Sequence, residues 1–290
     1  MILYESIEYL QKSYPLSSIC KALNINKSSY LYWLNFGKEN EHKLITFYTQ
    51  IITIYSESMG IYGSPKITAI LNKKGIICSV SKVSIAMKTL GIKSIVSKRF
   101  PKKASKINDK EKALIVNLIK YLTIYKINQV WTTDITYIKT INEGTFYLIS
   151  FIDYYSKKVV AWNLFENQKT DKIISVLKVA IIKRKPLPGL ICHSDKGSQM
   201  RSKLYRTFLK SKNFVFSYTS LNHSCDENAA QESFHSSLKK EWLYQMKLYT
   251  FEDAFKAIYD YIEGFYNPIR IHSSLGYISP DEFENNIKIS

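Results

Sequence analysis

Two periods of apolar residues divide this chain. Up to about residue 93 they recur at helical spacing. Ile7, Leu10, Ile19, Leu23, Tyr30, Leu31 and Leu34 predict short helices over 6–36, punctuated by Pro15 and by Asn24-Ile25-Asn26. Ser17 or Ser18 is placed to cap the middle helix and Asn26 the last, which opens with Lys27-Ser28-Ser29-Tyr30. This is helix-turn-helix spacing, and equally that of any small helical hairpin. Residues 43–93 repeat the theme. A helix from Leu44 to about Ser56 leads to Gly60-Ile61-Tyr62-Gly63, and Pro65 opens another that Gly75 ends. Ser79 or Ser81 caps a third, carrying Val83, Ile85, Ala86, Met87 and Leu90 and closed by Gly91.

From residue 128 the period shortens to that of strands. Residues 129–139 and 144–155 form a predicted hairpin turning at Asn142-Glu143-Gly144, and Lys158 to Phe165 continues it as a third strand. A helix from about Thr170 to Lys185 is broken by Pro186-Leu187-Pro188. Then come a strand at 189–194, a helix near 202–212, a strand at 214–218 and a long helix from about Asn228 to Met246. The fold class expected is α/β, a mixed five-stranded sheet flanked by helices and preceded by all-α helix-turn-helix domains. The division expected is a helix-turn-helix segment at 1–40 and a second such domain at 41–95. A basic linker and helix follow at 96–127, a sheet domain at 128–250, and a C-terminal helix and tail at 251–290.

Charge sharpens this division. Of the net +17, residues 1–127 hold 20 Lys and Arg against 7 Asp and Glu, a net +13, whereas residues 128–290 hold 21 against 17, a net +4. The helical part is therefore the expected polyanion-binding region. The total says less. Only five of the 41 basic residues are Arg, and frequent Ile, Asn and Tyr match the codon bias of an AT-rich genome. Candidate DNA contacts are Lys27 and Ser28, Lys66 and Lys82, and Lys102 and Lys103 in the basic stretch 94–112. The plain alternative for each is a solvated face or a tether.

The apolar runs are far shorter than the ~20 residues of a membrane span, so no membrane partner is expected. The start, Met1-Ile2-Leu3-Tyr4-Glu5, lacks a basic segment and a cleavage site, which leaves a cytoplasmic location. Cys20, Cys78, Cys192 and Cys225 include no C-x-x-C pair and are expected as reduced thiols, not a zinc site.

Three acids stand out. Asp134 lies inside the strand Val130-Trp131-Thr132-Thr133-Asp134-Ile135-Thr136, Asp195 follows Leu190-Ile191-Cys192-His193-Ser194, and Glu232 lies one turn into the helix from Asn228. A carboxylate amid an apolar strand is costly unless compensated. Three on one fold suggest divalent cations and phosphoryl transfer. On the last helix Phe234, Leu238 and Trp242 mark the core face, which puts Glu232, Ser236, Lys239 and Lys240 roughly opposite, with the two lysines placed to hold DNA. Other acids read differently. Asp153 suits a structural hydrogen-bonding role, Asp226 and Glu227 suit caps, and Glu241 suits a surface acid. His193 reads equally as a carboxylate-orienting residue and as a satisfied core histidine.

The motifs around these acids resemble those of insertion sequence 3 family transposases, in the form of the catalytic product OrfB. The matching stretches are Asn128 to Ile138, Ile152 to Val160, His193-Ser194-Asp195-Lys196-Gly197-Ser198-Gln199 and Asn228-Ala229-Ala230-Gln231-Glu232-Ser233-Phe234. The tail Tyr266-Asn267 with His272-Ser273-Ser274-Leu275-Gly276-Tyr277-Ile278-Ser279-Pro280 also matches, so the resemblance spans 128–283. It implies an RNase H-like core similar to retroviral integrases, with Asp134, Asp195 and Glu232 as the catalytic triad holding two Mg²⁺ ions, Mn²⁺ able to substitute. It implies strand cleavage at the terminal inverted repeats of a mobile element and joining to target DNA. Water would be the first nucleophile and a DNA 3′-hydroxyl the second. It also implies a bacterial, nucleoid-associated protein that forms a homo-oligomer on double-stranded DNA, with an upstream-encoded DNA-binding partner or frameshift fusion. The chain departs from the pattern in places. Asp195 and Glu232 are separated by 36 residues, one more than usual, and Leu221-Asn222-His223-Ser224 replaces a glycine-containing turn. Glu227 replaces an Asp, and Met200 an aromatic. Two other functions share these features: a DNA-binding remnant that represses transposition, and a plain metal-dependent nuclease, which would not need the basic helical half.

Overall fold

The computed structural model describes residues 2–97, 117–195, 197–219 and 228–289. Lys102, Lys103, Asp226, Glu227 and the departure at 221–224 lie outside these residues. The chain divides into two compact units, Met1–Ser94 and Ile95–Ser290.

The first unit is helical. Helices α1 (Ile2–Leu10), α2 (Leu16–Ala22) and α3 (Lys27–Tyr32) enclose a small core of Ile7, Ile19 and Tyr30, with Tyr4 and Trp33 packed against it. Asn26 caps α3, its Oδ1 accepting from the Ser28 N–H at 2.8 Å. Ser17 and Ser18 do not cap α2: both lie inside it, and Pro15 occupies the cap position without a side-chain bond. A wide π turn, Trp33–Gly37, carries the chain straight into α4 (Lys38–Glu57), so that helix starts earlier than its apolar spacing suggests. Next come α5 (Ser64–Lys73), with Pro65 in its first turn, and α6 (Val80–Thr89), capped by Ser79 Oγ accepting from the Lys82 N–H at 3.2 Å. Gly75 at φ +82° and Gly91 at φ +68° end these helices in the left-handed region.

The second unit is built on a five-stranded sheet: β1 (Val130–Lys139), β2 (Thr145–Asp153), β3 (Val159–Phe165), β4 (Ile191–Ser194) and β5 (Val215–Tyr218). The order is β3-β2-β1-β4-β5; β1 runs antiparallel to β2 and parallel to β4. Helix α7 (Thr170–Arg184) joins β3 to β4, and α8 (Lys203–Ser211) joins β4 to β5. These two helices share one apolar core with the sheet, in which Trp131, Ile149 and Phe151 meet Ile173, Leu177, Tyr205 and Leu209.

Residues 117–127 form turns where a helix was expected. Their backbone donors are taken by side chains: Asn117 Oδ1 accepts from Ile119 and Lys120, Ser217 Oγ from Leu118, and Gln129 Oε1 from Tyr125. Such local bonds compete with the helical ladder.

The opposite face of the sheet carries α9 (Ala229–Ser237), a π turn at Leu238–Trp242, and α10 (Phe251–Tyr259), whose Phe251 and Phe255 meet Phe146 and Trp162; α11 (Pro280–Ile289) follows. Specific bonds tie the C-terminal segment down. Asn267 pairs with both the N–H and the C=O of Val159 on β3, each at 3.0 Å. Arg184 of α7 grips Glu284 of α11 through two bonds of 2.6 and 2.7 Å. Asp153 is fully buried and accepts from the N–H groups of Asn128, Tyr155 and Ser156, as a structural acid should. No helix among the described residues is long and apolar enough to cross a membrane.

Candidate active site

The parallel pairing of β1 with β4 places the first two acids. Thr133 stands opposite Ser194, and the next residue along each strand is Asp134 and Asp195. Residues at one level of a parallel pair point to the same face, on strands about 4.8 Å apart. Asp134 keeps a quarter of its side chain exposed, its Oδ1 accepting from the Ile135 N–H at 2.8 Å and its Oδ2 lying 3.5 Å from His235 Nδ1. Asp195 is exposed just beyond β4, and its Oδ1 accepts from the Gly197 N–H at 3.0 Å. A Cβ at 197 would lie 3.1 Å from that oxygen and 3.3 Å from Gln199 Oε1, so glycine lets the loop close on the carboxylate.

Glu232 lies in the first turn of α9 and is exposed. Among the described residues no three Asp, Glu, His or Cys side chains converge closely enough to hold a metal ion. The structure thus brings Asp134 and Asp195 to neighbouring strand positions and leaves Glu232 outside a closed cluster.

What does meet β1 is the neighbouring stripe of the same helix. Gln231 is fully buried; its Nε2 donates to the carbonyls of Thr132 at 2.7 Å and Ser150 at 3.2 Å, and its Oε1 accepts from Ser150 Oγ at 3.0 Å. His235 stands against Asp134, and Lys239 Nζ donates to Thr136 Oγ1 at 2.7 Å. Helix residues 231, 235 and 239 therefore meet strand residues 132, 134 and 136 in turn. Four helical residues rise about 6 Å and two strand residues about 6.6 Å, so the spacings stay in step. Lys239 consequently turns inward, unlike the outward orientation expected from the apolar stripe. Its ammonium lies 4.4 Å from the centre of the Tyr137 ring; burial lowers its pKa while Asp134 opposes that shift. Lys240 is half-buried on the π turn.

Two further assignments resolve. His193 is fully buried in the core with Nδ1 2.9 Å from Ser217 Oγ. Glu241 is not a surface acid: it is buried, and Arg270 binds it with Nε at 2.7 Å and Nη2 at 2.6 Å. In the helical unit Lys27 and Ser28 are exposed at the start of α3, Lys66 Nζ lies 4.7 Å from the Tyr62 ring centre and Lys82 Nζ 4.8 Å from that of Phe47. Gln231, His235 and Arg270 escaped the sequence reading. The four-residue spacing of Gln231, His235 and Lys239 was the available signal for the first two.

Comparison with known proteins agrees with this architecture. Residues 125–224 and 217–280 match integrase core domains, and residues 45–100 match an HTH-like domain. The chain is 34% identical over 239 residues to the transposase for insertion sequence element IS904 of Lactococcus lactis subsp. lactis (strain IL1403), covering 81% of this chain and 92% of that one. It is 29% identical over 291 residues to transposase InsF for insertion sequence IS3A of Escherichia coli (strain K12), covering 97% and 98%. Among solved structures, the HTLV-2 integrase catalytic core domain in complex with magnesium aligns with 54% of this chain and 95% of that chain, at 19% identity and a TM-score of 0.41. A helix-turn-helix-like unit followed by an integrase core, with this likeness along nearly the whole length, means that the chain belongs to the insertion sequence 3 family of DNA transposases.

Proposed function

We propose that this transposase cleaves and joins DNA strands with Asp134, Asp195 and Glu232 as its catalytic acids. The observation that carries the reading is the β1–β4 register, which sets Asp134 beside Asp195 at the exposed end of the sheet. The donor set suits hard divalent cations. Each of the two strand acids has one carboxylate oxygen anchored by a backbone N–H, which fixes its orientation toward an ion. Two Mg²⁺ ions, or Mn²⁺ in their place, would activate the attacking oxygen and stabilise the leaving one.

The remaining roles belong to the chain itself. Glu232 supplies the third carboxylate from α9, whose loop connection lies outside the described residues. Lys239, bonded to Thr136 and within the field of Asp134, holds a phosphate of the substrate strand, and Lys240 extends that contact. The helical unit presents Lys27, Ser28, Lys66 and Lys82 to the element ends, and Lys102 and Lys103 of the basic linker bind DNA phosphates. The assembly is a homo-oligomer on double-stranded DNA, joined by an upstream-encoded partner or fusion, in the bacterial nucleoid.

The test is to incubate the protein with DNA carrying the element's ends and Mg²⁺ or Mn²⁺, then resolve nicked and joined products. Wild type should form both and Asp134→Asn neither, while both bind the ends. Equal product from the two proteins would remove Asp134 from the chemistry.

A further inference from the structure

The exposed acid on α9 depends for its place on the helix that carries it, and that helix is fixed at both ends. At its start Gln231 grips the carbonyls of Thr132 and Ser150. At its end Arg270, from the C-terminal segment, donates from Nη2 to Ser237 Oγ at 3.0 Å and holds Glu241 on the π turn through two bonds. Tyr261 adds a third donor to Glu241, its OH at 2.8 Å from Oε2. Both charges are buried, so the pair is costly unless fully matched. The choice of residue fits the geometry. In a chain with 36 lysines and five arginines, half-buried Arg184 and buried Arg270 each grip a carboxylate through two bonds in the planar fork that an ammonium lacks.

Register is what such a double anchor controls. A slip of one residue moves an α-helix about 1.5 Å and turns it about 100°. It would take Gln231, His235 and Lys239 off Thr132, Asp134 and Thr136 together and turn Glu232 with them. π turns of this kind recur at functional sites. We propose that Gln231 and the Arg270–Glu241 pair are positioning residues that lock α9 in register with β1 and so fix the position from which Glu232 reaches toward the strand acids. This rests on the assignment of the three acids.

Removing Arg270 alone would strand a buried carboxylate and unfold the protein. The test therefore replaces the whole cluster, Glu241→Met with Tyr261→Phe and Arg270→Met, because apolar replacement of a buried pair generally preserves stability. Gln231→Met tests the other end. Each variant of the full chain is measured for thermal unfolding, for binding of end DNA, for Mn²⁺ binding from the free-ion electron paramagnetic resonance signal with DNA present, and for cleavage. The expected result is retained melting and DNA binding, with the half-saturating Mn²⁺ raised and Mg²⁺-dependent cleavage reduced about tenfold or more. A folded variant at either end with the wild-type Mn²⁺ curve and wild-type cleavage overturns the proposal. If the triple variant does not fold, Gln231→Met decides by the same readings. Asp134→Asn is run beside them. Wild-type cleavage by that variant would overturn the acids themselves, whereas its inactivity beside active anchor variants would overturn only the register lock.

Discussion

The central sheet has two faces that are packed by different physics. Toward α7 and α8, Trp131, Ile149 and Phe151 meet Ile173, Leu177 and Tyr205, and the contact is shape and apolar area. Toward α9 the intervening residues Thr132, Asp134, Thr136 and Ser150 meet Gln231, His235 and Lys239 through a ladder of polar bonds, beside the apolar contacts of Phe146 and Trp162 with α10. One strand thus serves both. Burying apolar surface stabilises strongly but without direction, whereas a polar ladder contributes little net stability and fixes position. The comparison teaches a division of labour: apolar area holds the fold together, and the polar ladder fixes the side chains along β1 in place.

The largest effect expected comes from the polar face. Asp195→Asn should abolish cleavage, a loss on the order of a thousandfold if the acid supplies several kcal/mol of transition-state stabilisation. Folding should not suffer, because the neighbouring Asp134 loses a like charge. Wild type should melt at a higher temperature on adding Mg²⁺ while the variant does not shift, since an ion bound only by the folded state stabilises it. A variant that unfolds without cleavage being tested per folded molecule would blur the division; one that still responds to Mg²⁺ would break it.

The apolar face should behave in reverse. Leu177 is fully buried in the middle of α7. Leu177→Ala should cost about 3 kcal/mol of stability by leaving a cavity, read by denaturant unfolding, yet leave cleavage per folded molecule unchanged at low temperature. A fall in cleavage without a fall in stability would show that the two faces are not separable.

The sequence exposes these two faces unequally. The helix at 170–185 and the strands before it were legible because apolar period is a local property; the observed α7 and β1 to β3 lie within a few residues of the expected spans. Caps were legible where one side chain satisfies one nearby N–H, as at Asn26 and Ser79. The three acids were singled out by motif and by their cost in a strand. The polar ladder was not legible, because Gln231 finds its acceptors 81 and 99 residues away. Glu241 was misread for the same reason: its partner Arg270 is 29 positions on, and the π turn rotates it inward. The inward turn of Lys239 also depends on β1 presenting a hydroxyl, Thr136 Oγ1, at the matching height.

The smallest expected effect is the sharpest probe of the contrast. Ser150→Ala removes one oxygen from the polar face, the donor at 3.0 Å to Gln231 Oε1 and a neighbour of His235 Nε2 at 3.4 Å. Gln231 keeps its two bonds to the carbonyls of Thr132 and Ser150, which the substitution does not touch. The lost bond should therefore cost about 1 kcal/mol, a fall in melting temperature of roughly 2–4 °C for a unit of this size. Cleavage should drop by only a few-fold, because α9 retains its anchors at both ends while Oε1 goes without its donor. Melting curves and cleavage rates on the same preparation check both numbers. Leu177→Ala should lose more stability than Ser150→Ala and less activity. If the order is the same in both measurements, the polar ladder is ordinary packing and the two faces of the sheet do not divide the work.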